Sequence, residues 1–125
     1  MATITEAGLQ GDWFYIEEEQ SLDRASPEFF ILREGVVRSS RNQDVVGSYE
    51  IMGDAAVLTF SRREHSEFVM TLHAPGDVFD EATPSMHANA AHRMEAIDET
   101  VRHYGTFVRR TADDLRAADI WHRVR

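Results

Sequence analysis

Through the first half of the chain, apolar and polar residues come in short β-rich runs broken by glycine and polar clusters, the pattern of strands joined by tight turns. Trp13 to Ile16 are apolar on both faces, so this strand must be covered on both sides or belong to a closed, strongly curved sheet. In "PEFFILREGVVRSSR", Phe29 to Leu32 form one arm of a hairpin and Val36 to Ser40 the other. Glu34-Gly35 supplies the turn, because glycine adopts positive φ without strain. "DVVGSYEIMGDAAVLTF" predicts a second hairpin turning at Gly53-Asp54, with glycine at the first central position. Gly47, lacking a side chain, suits a bulge or bend where the sheet curls. "SEFVMTLH" predicts a further strand, reached through "SRREH". Strands that follow one another through short turns form an antiparallel meander, and its natural completion is a barrel.

The rhythm changes at "APGDVFDEATPSMHANAAHRMEAIDET". Thr83 is a good N-cap, Pro84 suits the first helical position, and Met86, Ala90, Met94 and Ile97 recur at helical spacing. These predict a helix inserted over residues 84–98. Beyond it, Gly105 would interrupt a helix, and the content of "VRHYGTFVRR" predicts a strand over Arg102 to Arg110. Residues 111–125 read in two ways: a turn at "TADD" with a returning strand to Val124, or an amphipathic helix using Leu115, Ala118 and Trp121. The strand fits the meander better.

Composition narrows the function. A chain of 125 residues predicts one domain, 1–125, able to bury a single core without disulfide or metal staples. With 42% hydrophobic and 28% charged residues it has the composition of a folding chain. A formal net charge of −9 repels phosphate backbones, which argues against nucleic acid and anionic membrane as partners. Residues 101–125 run the other way, with three acids and six arginines, and are expected to lie against acidic neighbours. The absence of cysteine excludes disulfides, thiolate zinc sites and thiol nucleophiles. "MATITEAGLQ" has neither a basic nor an apolar leader region, and no apolar stretch approaches the length of a bilayer span, so a cytoplasmic location is expected.

Candidate chemistry is sparse. His87 and His92, on the predicted helix, stand about 140° apart around its axis, a poor arrangement for sharing an ion, and neither metal nor cofactor is expected. No Ser-His-Asp spacing, phosphate-binding glycine loop or paired-carboxylate motif is present. Acid–base chemistry needs a titratable group in an apolar pocket, which leaves His73, at a strand end, and His103, within a later strand, as catalytic candidates. Glu17-Glu18-Glu19 reads as a solvated strand end. Tyr15, Tyr49, Phe60, Met70 and Tyr104 are the candidate walls of an apolar cavity, with Arg38 or Arg109 as anchor for a carboxylate or phenolate; alternatively, the large side chains simply fill the core.

Three stretches carry a family resemblance. Gly11-Asp12-Trp13 is a G-x-W opening the first strand, "VVGSYEIMGDAAVLTF" resembles the internal strand pair of small bacterial lipocalin-like (calycin) domains, and "WHRVR" is similar to their closing strand. The resemblance implies a mostly β fold: a meander closed into a lipocalin-like barrel of about eight strands, into which the predicted helix is inserted. It also implies that Trp13 packs across the closed end against an arginine of the last strand, with Arg123 as the partner. The function expected is binding of a small, largely apolar molecule in the barrel. The alternatives are a cyclase or isomerase on the same scaffold, polarising its substrate with His73, His103 or a tyrosine, and a protein-interaction module, a secretion regulator or immunity protein, using its acidic surface. Apolar runs at 13–16 and 29–32 further predict a homodimer.

Overall fold

In the computed structural model, which describes residues 3–17, 29–41, 43–61, 66–74, 76, 78–80, 82–83 and 85–109, eight strands close into a barrel in simple meander order. They are β1 (Gly11–Glu17), β2 (Phe29–Arg33), β3 (Val36–Ser39), β4 (Val45–Met52), β5 (Ala55–Phe60), β6 (Ser66–His73), β7 (Ser85–Met94) and β8 (Glu99–Arg109). Each is antiparallel to the next, and β8 closes on β1 with Trp13 opposite Arg109, Tyr15 opposite Phe107 and Glu17 opposite Gly105. A short helix, α1 (Glu6–Leu9), precedes β1 and is capped by Thr5, whose side chain accepts from the Gly8 amide. No helix among the described residues is long and apolar enough to cross a membrane.

Both hairpins turn where glycine permits. Glu34 and Gly35 have φ of 52° and 80°, the left-handed pair that a two-residue turn requires, and Gly53 has φ of 66°. Gly47 answers to a close approach: a Cβ there would lie 2.5 Å from the Thr59 carbonyl oxygen of β5. Beside it the β3–β4 register shifts, pairing Val37 with Gly47 and Arg38 with Val45, so the sheet bends at this point.

The helix expected over residues 84–98 is not formed. Ser85–Met94 is a strand paired along its length with both β6 and β8, and only Glu95–Ile97 makes a single 3-10 turn before β8. Met86, Ala90 and Met94 are four residues apart, a spacing that fits one helical face and equally one face of a strand. The intervening residue resolves it: Ala88 is as buried as Ala90, whereas His87 is exposed. The strand prevails because β6 and β8 both need a hydrogen-bonding neighbour, and an inserted β7 satisfies two edges at once. Its alanines stand opposite Met70 and Leu72 of β6 and Gly105 of β8, leaving room for larger rings inside. The strand expected over Arg102 to Arg110 is β8, which begins earlier, at Glu99. Both readings of residues 111–125 fall outside the described residues.

Candidate binding cavity

Inward-facing side chains divide the barrel into two halves. At one end Trp13, Leu32, Leu58, Leu72, Met86 and Phe107 are fully buried, and Ile4 and Leu9, flanking and ending α1, plug the opening. Trp13 donates its indole N–H to the Leu9 carbonyl at 3.0 Å, and the Arg109 guanidinium lies 4.1 Å from the centroid of its ring. Gly11 has φ of 135°, which only glycine adopts freely, and a Cβ there would stand 3.4 Å from the Arg109 guanidinium. The G-x-W thus serves the closed end: the glycine turns the chain from α1 into β1, and the tryptophan seals the floor.

The described residues do not fill the other half. Tyr15, Phe30, Phe60, Phe68 and His92 face inward yet are only part-buried, and with Met70 as floor they line an open-mouthed cavity of about 400 Å³. Ser39, Ser61 and Ser66, at the ends of β3, β5 and β6, form its rim together with Val46. The rings brace one another. Phe30 meets Phe60 edge-on at 5.4 Å, Phe60 meets Phe68 edge-on at 5.3 Å, and Phe107 stacks beneath Phe30 at 6.0 Å. The result is a preformed apolar wall of the size that takes one small molecule.

The polar groups among the described lining residues are the rim serines, His92 and the Tyr15 hydroxyl. The Tyr15 hydroxyl oxygen is buried with no hydrogen-bond partner among the described residues. Burial first, and the nearby Glu17 charge second, push its pKa up to about 12, so it is a protonated hydroxyl at any ordinary pH. A Cβ at Gly105 would lie 2.7 Å from the Tyr15 ring, so the missing side chain of β8 is what gives that ring its place. Near the mouth, His103 Nδ1 stands 3.3 Å from Glu17 Oε1, and the His92 and His103 rings flank Phe68 at 5.7 and 6.5 Å.

Of the residues singled out in the sequence, Tyr15, Phe60 and Met70 meet in this cavity. Tyr49 belongs to the closed end: its hydroxyl donates to Glu6 and accepts from Gln10, tying β4 to the α1 plug, and burial followed by the Glu6 bond raises its pKa. Arg109 lies at that end too, where its guanidinium donates to the carbonyls of Gly8, Gln10, Asp80 and Thr83. It takes the place over Trp13 expected of Arg123, which lies outside the described residues. Arg38 is exposed on the outer face and donates to the Gln43 carbonyl. Tyr104, 52% exposed, stands on the outside, bordering a surface groove with Ile16, His87, Asn89 and Thr106. His73 pairs with His87 across β6 and β7, on the opposite face from inward Leu72, and His103 is at the mouth. His87 and His92, five apart on a strand, face opposite sides of the sheet. Among the described residues no three His, Cys, Asp or Glu side chains converge as a metal site.

Three wall residues were missed in the sequence. Phe30 shares the parity of buried Leu32, and Phe68 that of buried Met70, so strand alternation alone was signal enough to find them. His92 was hidden by the helical reading of its segment. No protein-family model, no curated protein and no solved structure matches the chain. The fold and site define an eight-stranded antiparallel meander barrel, sealed at one end and hollow at the other.

Proposed function

We propose that the hollow half of the barrel binds one small, flat, largely apolar molecule per chain. The observation that carries this reading is the part-filled interior: among the described residues, inward rings that brace one another along the wall leave a cavity of about 400 Å³ beside them. A protein-interaction module would need no such space, so the cavity favours the ligand reading over that alternative. The Trp13–Arg109 contact supports a lipocalin-like reading of the architecture, since it is the closure that resemblance implied, with a different arginine. Titration with an uncharged, polarity-sensitive dye tests the function. Saturation at one dye per chain, with emission shifted to the blue, is expected; a well-folded chain that binds no dye would contradict it.

A further inference from the structure

We infer that the ligand carries an uncharged carbonyl-type acceptor and that the Tyr15 hydroxyl donates a hydrogen bond to it. The inference rests on the cavity-binding reading and adds the chemical class. Its first support is what the wall lacks. No arginine or lysine is among the described cavity-lining residues, and the two arginines that sequence reasoning offered as anion anchors are engaged elsewhere, Arg109 by four carbonyls at the sealed end and Arg38 by Gln43 outside. A carboxylate entering this pocket would lose its hydration without gaining an arginine or lysine partner among the described wall residues, and it would approach the Glu17 charge that already acts on Tyr15.

The second support is the unpaired hydroxyl. Buried polar groups in folded proteins find partners almost without exception, and an orphan in the wall of a cavity marks where a partner arrives. The Tyr15 ring is part of the cavity wall and its oxygen has no neighbour to bond. That oxygen is covered. The ring packs edge-on against Phe107 at 6.0 Å and against the bare backbone of Gly105, so the donor role requires the ring to turn its O–H toward the lumen as the ligand enters. A phenol is a better donor than acceptor because its lone pair is shared with the ring. The matching ligand group is an uncharged acceptor, and a carbonyl oxygen is the common strong one.

Three probes built on one dimethylaminonaphthalene ring separate the possibilities: an acyl derivative, an alkyl derivative and a carboxylate, each titrated into the wild-type chain and into Tyr15→Phe. This substitution removes one oxygen and keeps the ring, and a cooperative melt verifies the fold. The expected result is that Tyr15→Phe weakens the acyl probe about five- to tenfold, the change worth one hydrogen bond. Its bound emission should also move further to the blue, while the alkyl probe is unaffected and the carboxylate binds weakest throughout. Unchanged affinity and emission of the acyl probe in Tyr15→Phe, with the alkyl probe still bound, would overturn the donor role and leave the cavity reading standing. A carboxylate that binds as tightly as the acyl probe would overturn the uncharged class. Failure of all three to bind the folded wild type would overturn the cavity reading and this inference with it.

Discussion

The guanidinium of Arg109, from the last described strand, lies 4.1 Å from the centroid of the Trp13 ring, from the first. Around it converge the carbonyls of Gly8, at 2.6 Å, Thr83, at 2.9 Å, and Gln10, at 3.2 Å, so one side chain fastens the α1 plug and the segment before β7 to the sealed end. Trp13→Ala is expected to cost about 3–5 kcal/mol, the range for truncating a large buried aromatic. Arg109→Lys should cost about 1–3 kcal/mol, since an ammonium cannot reach this fan of acceptors while lying flat on the indole. Denaturant melts measure both. A loss for Arg109→Lys within about 0.5 kcal/mol, as for an ordinary surface site, would deny it this role.

Two glycines are held by neighbours. Alanine at Gly105 would place its Cβ 2.4 Å from the Ile16 carbonyl oxygen, and alanine at Gly47 would place it 2.5 Å from that of Thr59. Backbone on one strand would have to move away from backbone on the next, and each substitution should destabilise by about 1–3 kcal/mol. Gly105→Ala should also displace the Tyr15 ring and so reduce dye binding, whereas Gly47→Ala should lower stability with little effect on the cavity. Melts and dye titrations on the same samples distinguish the two.

Alkaline stability follows from Tyr15. Folded, it holds its proton to about pH 12, whereas in the unfolded chain it releases it near the ordinary value of 10.0. Between these limits the unfolded state binds fewer protons than the folded one, so stability, full below the lower limit, falls as pH rises through the window. Tyr49, shifted in the same direction, adds to the slope. Tyr15→Phe should flatten the fall in urea midpoint across that window. An identical slope in wild type and variant would contradict the burial assigned to this hydroxyl.

The hairpins at Glu34-Gly35 and Gly53-Asp54 were legible because a tight turn is a local event, written in the residues that make it. The seventh strand was not. Its sequence, rich in alanine, favours a helix by intrinsic propensity, and only the unmet hydrogen bonds of β6 and β8, which are distant in sequence, override that preference. The site was legible to a similar depth. Alternation tells which side chains point inward, and so Tyr15, Phe60 and Met70 were found; it does not tell how far along the barrel axis each one lies. Tyr49 is just as inward, but it falls at the plugged end. Likewise, an arginine over Trp13 was foreseeable, but its choice depends on the β1–β8 register, which sets Arg109 opposite Trp13.

The central claim is that the open half of the barrel is a binding space, and blocking that space tests it most directly. Met70 forms the floor at 1% exposure and Ser66 stands on the rim, so Met70→Trp fills the cavity from below and Ser66→Trp obstructs it from above. Titration of both variants with the uncharged dye, alongside thermal melts, is the measurement. The account predicts one dye per wild-type chain, loss of at least about 1.4 kcal/mol of binding energy, a factor of ten, in each variant, and a cooperative melt throughout. Dye binding of wild-type strength in both tryptophan variants would place the dye elsewhere on the molecule and contradict the account.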